Sequence, residues 1–352
     1  MEDQKELFGL LDMMVQPVFC VQENFIIRTN TAARQLFLKE GTPIDSLLET
    51  GAEDYAQLSE GCLFLTLSLC GQHIGAAVQR IGNLDIFQLT TDNSVLQALA
   101  LASGQLRSPL NSALAQTASL LETQEDPQTL SQLAQLNRNL YQLLRILGNM
   151  SDAYQPTGFS RMETLDIYGL IRELFEKAQA MASASGRSLS WQIPGSPLYC
   201  LADREQLERA ILNILSNAMK FTPGNGSIEA DVTRHGRNLV LTVQDSGSGI
   251  AGDVLHSLFQ RHLRQPAVED SRFGLGLGIR MIHTAAIHHG GTLLISSRPQ
   301  GGTQVVLRLP IRQKEDGTLR SPLFPIDYAG GFDHSLVELA DVLSADLFGE
   351  VN

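Results

Sequence analysis

The chain has no run of eighteen or more consecutive apolar residues, so a membrane-spanning helix is not expected. Its four cysteines, Cys20, Cys62, Cys70 and Cys200, are scattered and contain no CxxC pair. That usage excludes a disulfide scaffold or a cysteine zinc site and suits a reducing compartment. Positive charge is also short: 26 Lys and Arg face 38 Asp and Glu, a net charge of −12. Such a balance argues against nonspecific binding to nucleic acid or to an anionic membrane. The eight histidines are His73, His235, His256, His262, His283, His288, His289 and His334, and none lies between 92 and 152.

What the chain does have is an apolar share of 43% over 352 residues, enough for two or three cored units. One stretch, Asp203 to Pro310, carries three polar or glycine-rich clusters. The first runs Asn213-Ile-Leu-Ser-Asn217-Ala-Met-Lys220-Phe221-Thr222-Pro223. Leu207, Ala210, Ile211, Ile214 and Leu215 recur at helical spacing before and within it, and Asn213 and Asn217 fall on one face. Amides ligate Mg²⁺, a lysine meets phosphate and an aromatic ring stacks on a base. Taken alone, the same pattern also describes a surface helix with two solvated amides. The second cluster, Asp245-Ser-Gly247-Ser-Gly249-Ile250, follows the β-rich run Leu239 to Val243. Its aspartate can accept a hydrogen bond from an adenine amino group, although alone the cluster reads better as an ordinary Asp-Gly-rich turn. The third, Gly274-Leu-Gly276-Leu277-Gly278, opens a helix expected over Leu277 to His288, whose N-terminus suits phosphate. It matches neither GxGxxG nor GxxxxGK[ST].

In this order the three clusters resemble the N, G1 and G2 boxes of the histidine-kinase-type ATPase domain, the Bergerat fold shared with gyrase, Hsp90 and MutL. His289 to Ser297, Gly301-Gly-Thr303 and Val305 to Pro310 resemble that domain's last two strands. The resemblance covers roughly 160 to 312. It implies that Asn217, helped by Asn213, holds Mg²⁺, that Lys220 meets phosphate and that Phe221 lines the base pocket. It further implies that Asp245 reads adenine and that Gly274 and Gly276 lie under the phosphates. Gly247, Gly249, Leu277 and Thr303 complete the expected ATP-binding set. Two positions depart from the family pattern: Arg272 stands where a glycine is usual, and His262, in Leu258-Phe-Gln-Arg261-His262, where an aromatic is usual.

The rest of the chain fits the same family. Residues 1 to 90 read as strands at Val18–Val21, Phe25–Ile27, Cys62–Cys70, Ile74–Gln79 and Leu84–Leu89, with helices at Leu7–Met14 and Asn30–Phe37. That order resembles a PAS domain, most locally at Ile27-Arg-Thr-Asn-Thr-Ala-Ala33. Residues 91 to 155 carry leucines at heptad-like spacing on two helices broken at Glu125-Asp126-Pro127. Two such helices bury little alone, so a homodimeric four-helix bundle is expected, with Pro109 kinking the first helix. Leu101 to Leu110 resembles the phosphoacceptor box of histidine kinases: Leu106-Arg107-Ser108-Pro109-Leu110 matches. Gly104 and Gln105 stand at the usual His and Glu positions, so no catalytic residue is assigned. Asn213 likewise replaces the water-activating glutamate of the hydrolytic relatives. Residues 313 to 352 form an acidic tail. Its stretch Ser335 to Phe348 places Leu336, Leu339, Ala340, Leu343 and Leu347 on one helical face. That face either caps the chain's own ATPase domain or docks a partner.

The expected protein is therefore multidomain α+β. A PAS-like sensor (1–90), a HisKA-like dimerisation hairpin (91–155), a Bergerat α/β sandwich (156–312) and a linker with a C-terminal helix (313–352) follow in order. Its expected function is that of a degenerate, ATP-binding histidine-kinase-like protein of two-component signalling. Its cofactors are ATP and Mg²⁺, and its partner is a response regulator or an active histidine kinase. A phosphatase, a slow ATPase or a non-catalytic adaptor is the alternative. The start Met1-Glu-Asp-Gln-Lys5 shows no signal-peptide pattern, which predicts a cytoplasmic protein.

Overall fold

The computed structural model describes residues 16–59, 61–89, 94–152, 162–250, 277–298, 301–312 and 331–349, with Leu11, Met14 and Ala329. The expectations for most of Leu7–Met14, for Leu258–His262, Arg272, Gly274 and Gly276, and for the linker at 313–328 lie outside these residues.

The N-terminal unit is an antiparallel sheet of β1 (Val18–Gln22), β2 (Phe25–Thr29), β3 (Cys62–Leu69), β4 (Gln72–Ile81) and β5 (Leu84–Leu89), with short helices α1 (Thr31–Gln35) and α2 (Ala52–Gln57). The strands fall where the alternation of the sequence places them. Glu23 and Asn24 take positive φ, 50° and 70°, and turn β1 into β2. Asn30 then holds the passage from β2 to α1. Its Oδ1 accepts from Ala33 N at 2.9 Å and Val18 N at 3.0 Å, and its Nδ2 donates to Gln16 O at 2.6 Å. One side chain thus caps the helix and anchors the first strand.

The helical hairpin follows as α3 (Ser94–Thr123) and α4 (Pro127–Asp152). Helix α3 continues on both sides of Pro109, which lies inside it. Pro109 is exposed, so water can serve the carbonyl that the missing N–H leaves without a helical partner. Leu110, Leu114 and Leu121 of α3 and Leu144 and Leu147 of α4 are buried. Leu106, Leu120, Leu136, Leu143 and Ile146 remain exposed, and each of the two helices contributes to this second apolar set.

The third unit is an α/β sandwich. Its strands are β6 (Met162–Asp166), β7 (Ser188–Gln192), β8 (Tyr199–Asp203), β9 (Ser227–His235), β10 (Asn238–Asp245), β11 (Thr292–Ser297) and β12 (Thr303–Pro310). Its helices are α5 (Ile167–Ala184), α6 (Arg204–Phe221) and α7 (Leu277–His288). Strands β6 and β8 pair apart, and the others run β11-β12-β10-β9-β7. The helices bury their apolar stripes on this sheet, and Phe175, Leu212, Leu215 and Met219 are fully enclosed. The helix stripe read from the sequence, Leu207, Ala210, Ile211, Ile214 and Leu215, is buried throughout.

The two sheets are joined, which no local pattern announced. Strand β3 pairs antiparallel with β11, Leu293 opposite Phe64, Leu294 opposite Leu63 and Ile295 opposite Cys62. Ten strands among the described residues therefore form one sheet. Gly61 precedes β3 at φ 113°, and a Cβ there would strike the Ile295 carbonyl, so only glycine permits this approach. Asp54 accepts from Thr292 Oγ1 at 2.6 Å and pairs with Arg308 at 2.9 Å. Across the joint the His283 ring lies 4.7 Å from that of Phe64.

His283 is buried, and burial first, then nearby Arg280, pushes its pKa down to about 3. A folded-state pKa below the unfolded value means the unfolded chain binds the proton more readily. Stability from this group is therefore full above about pH 6.5 and falls as pH drops toward 3. At pH 5 the loss is expected to be about 2 kcal/mol. Denaturant titration of the wild type and His283→Gln between pH 7.5 and 5 checks it, with a flatter profile expected for the variant.

Candidate nucleotide site

Helix α6, strand β10 and the start of α7 converge on the three clusters. Asp203 caps α6, its Oδ1 accepting from Gln206 N at 3.1 Å. The helix ends at Phe221, where the Thr222 hydroxyl bonds back to Ala218 O at 2.7 Å. That brings Lys220 and Phe221 to the exposed end of the helix, Phe221 being 40% exposed. The Lys220 ammonium lies 5.8 Å from the centre of the Phe221 ring.

Asp245 ends β10 and is buried. Its Oδ1 accepts from Gly247 N at 2.8 Å and Thr303 N at 3.1 Å, so both bonds land on one oxygen and leave Oδ2 outside them. The fixed carboxylate joins the second cluster to the β12 strand. Glycine is required around it. A Cβ on Gly247 would strike the Phe221 carbonyl, and one on Gly302, at φ 91°, would strike the Asp245 carbonyl. Gly249 takes φ 73° beside Gly302. The result is a side-chain-free floor between Asp245 and Phe221. These residues fit a flat base: a held carboxylate, an aromatic ring and close backbone. Thr303 is buried and contributes its backbone N–H to Asp245.

The far end differs from the expectation. Asn217 is half-buried. Asn213, four residues earlier on the same face, is fully buried and its amide is engaged on both sides. Its Nδ2 donates to Glu338 Oε2 at 2.8 Å, and its Oδ1 accepts from Arg145 Nη2 at 3.1 Å. Gly278, in the first turn of α7, sits so close that a Cβ would lie 2.9 Å from Asn213 Oδ1. The first turn of α7 and the amide therefore meet, and Asn213 Oδ1 is already engaged by Arg145. Leu277 starts α7, and Gly274 and Gly276 precede the described helix.

Glu338 belongs to the tail, in the short helix α8 (His334–Leu339), and is fully buried. The fourteen-residue helix expected over 335–348 is instead this helix followed by a separate turn at Ala345–Phe348. Val337, Leu339, Ala340, Leu343 and Phe348 are enclosed together with Glu338, whereas Asp341 and Ser344, in the break between the two, are exposed.

Comparison with known proteins agrees with this geometry. Residues 202–313 match the family described as histidine kinase-, DNA gyrase B- and HSP90-like ATPase. The sensor histidine kinase RppB of Synechocystis sp. is 29% identical over 61% of this chain and 49% of its own length. The adaptive-response sensory kinase SasA of the same organism is 29% identical over 61% of this chain and 59% of its own. Over about three fifths of its length the chain is thus similar to sensor histidine kinases, and residues 202–313 carry an ATPase domain of the histidine-kinase type. Histidine protein kinase DivJ of Caulobacter vibrioides is 35% identical over a shorter stretch, 41% of this chain and 26% of its own. Full-length ShkA, solved in complex with AMPPNP, superposes with a TM-score of 0.50 over 62% of this chain and 46% of its own, at 23% identity, which is a likeness of fold. The chain thus spans well under two thirds of each of these relatives. Its ATPase domain is of an ATP-binding type, and among the described residues no helix is long and apolar enough to cross a membrane.

The glycine floor is testable by itself. Gly302→Ala must relieve both a collision with Asp245 and an unfavourable backbone conformation, and is expected to cost about 2–4 kcal/mol. Thermal unfolding measures it, and Gly301→Ala, whose added Cβ would lie 3.8 Å from the Gly247 carbonyl, is the milder control.

Proposed function

We propose that this protein is an Mg-ATP-binding, histidine-kinase-like component of two-component signalling that does not phosphorylate a histidine of its own hairpin. One observation carries the reading: an ATPase domain of the histidine-kinase type is joined to a hairpin with Gly104 and Gln105 at the positions for the phosphoacceptor and its acid. Glycine offers no nucleophile, and glutamine takes no proton at neutral pH. The N-terminal unit acts as a PAS-like sensor. The hairpin's exposed leucines, Leu106, Leu120, Leu136 and Leu143, support a homodimeric four-helix bundle that buries them.

In the nucleotide site Asp245 accepts the adenine amino group, with Phe221 against the base and Gly247 and Gly249 close beneath it. Asn217 offers its amide oxygen to Mg²⁺, and Lys220 meets phosphate. The phosphoryl acceptor in this reading is the histidine of a partner kinase, or the protein acts on a response regulator as an ATP-dependent scaffold. Asn213 in place of a general base supports slow hydrolysis at most. A phosphatase reading rests on Ser108, which is exposed on α3.

Calorimetry with Mg-ATP tests the site. Asn217→Ala and Asp245→Ala are each expected to abolish measurable binding, and a wild type that binds no Mg-ATP rejects the reading. Labelling with γ-³²P-ATP tests the acceptor. No acid-labile phosphate is expected on the wild-type hairpin. A Cβ at Gly104 would meet nothing within 4 Å, so histidine fits there. The double variant Gly104→His/Gln105→Glu is expected to acquire the label.

A further inference from the structure

The end of strand β11 fastens the loop that follows Asp245. Ser297 is the last residue of the strand, and its hydroxyl donates to the Ile250 carbonyl at 2.7 Å and accepts from Ile250 N at 3.0 Å. Thr303 stands opposite Ser297 on β12, and its N–H donates to Asp245 Oδ1 at 3.1 Å. Beside them Arg298 N donates to the Gly302 carbonyl at 2.9 Å, and Gly302 lies against the Asp245 carbonyl. Both ends of the segment from Asp245 to Ile250 are therefore tied to the pair Ser297–Thr303. That segment holds the carboxylate and the two glycines of the base end.

The other edge of β11 is held by the N-terminal unit. Its pairing with β3 covers Leu293, Leu294 and Ile295, and so ends two residues before Ser297. Two glycines permit the approach, one toward each end of β11. Gly51 takes φ 78°, and a Cβ there would lie 2.6 Å from Thr292 Cγ2. Gly61 takes φ 113°, and a Cβ there would strike the Ile295 carbonyl and lie 3.1 Å from Ser296 Cβ. Glu53 and Asp54 reach across to Arg308 at 3.2 and 2.9 Å, so β12 is held as well. Without β3, β11 would be the outermost strand of the ATPase sheet. The ends of outermost strands have few partners and open most readily.

We infer that Ser297 is a positioning residue for the base end of the nucleotide site, and that the N-terminal unit, docked through β3, holds it in place. The inference rests on the nucleotide reading above and adds what controls that site. Docking orders the end of β11, and with it Thr303 and the loop from Asp245 to Ile250. A base then meets a floor that is already ordered and loses less freedom on binding. The docked arrangement is the receptive one, since in it Asp245 Oδ1 is filled by two backbone N–H groups and Oδ2 is left outside them. Undocking therefore weakens nucleotide binding. It weakens ATP and ADP alike, because the affected end holds the base and not the phosphates. The linkage is reciprocal, so bound nucleotide tightens the hold of β3 on β11 by the same factor. A signal that draws the N-terminal unit off β11 thus reaches the site without passing through the hairpin.

The full chain tests it in two ways. Hydrogen exchange on the wild type needs no variant to fold. Slower exchange at 62–65 on adding Mg-ATP is expected, although these residues belong to the other unit. Calorimetry then compares the wild type with Gly61→Ala, which alters only the N-terminal unit, and with Ser297→Ala and Ser297→Thr. Gly61→Ala and Ser297→Ala are each expected to weaken Mg-ATP and Mg-ADP by about fivefold or more, and Ser297→Thr, which keeps the hydroxyl, to restore both. In Ser297→Ala, exchange at 62–65 is expected to stop responding to saturating Mg-ATP, which a loss of stability alone would not produce. Exchange at 62–65 that is unchanged by saturating Mg-ATP in the wild type, or equal affinity of the wild type and Gly61→Ala, overturns the coupling and leaves the nucleotide site standing. A wild type that binds no Mg-ATP overturns the nucleotide reading and the coupling with it.

Discussion

Burying charge is expensive, and the structure does it between its hairpin and its ATPase domain. Arg145, Arg209 and Glu338 are all buried, and they come from three separate parts of the chain. Removing Glu338 is the costly change, about 3–5 kcal/mol, because it takes the buried carboxylate from both guanidiniums. The position of α4 on α6, the seating of α8 and the orientation of Asn213 all follow from keeping the three together.

The nucleotide pocket obeys a different constraint, which is space. Asp245 is fixed by backbone N–H groups, and three glycines keep the nearby floor free of side chains. The end of the candidate site at Asp245 is therefore set by backbone groups, whereas the end at Asn213 is set by side chains that have other partners. A rigid half and an exchangeable half meet along one face of α6, with Asn217 between them.

The parts legible in the sequence are those with a local signature. The stripe on α6 shows in the spacing of Leu207, Ala210, Ile211, Ile214 and Leu215. The β1–β2 turn shows in Glu23-Asn24, and the α7 span in the run from Leu277 to His288. The parts not legible depend on distant partners. Glu338 sits where the periodicity of the tail places a solvated residue. Its burial depends on Arg209, 129 positions away, and so the expected long helix became a short one and a turn. Asn213 read as a metal ligand because its neighbours on the helix face were visible and its partner on α4 was not. Strand β11 reads alike whether its edge is open or paired.

That paired edge closes a ring. The covalent path leaves the N-terminal sheet at β5, passes through the hairpin, enters the ATPase domain at β6 and returns to the N-terminal sheet through β11 against β3. The hairpin is consequently one bar of a closed linkage rather than a free arm. Its helices cannot swing on the ATPase domain without shearing three residue pairs of β-ladder or turning the N-terminal sheet with them. A rotation of either unit is thus passed to the other through the β3–β11 pairing.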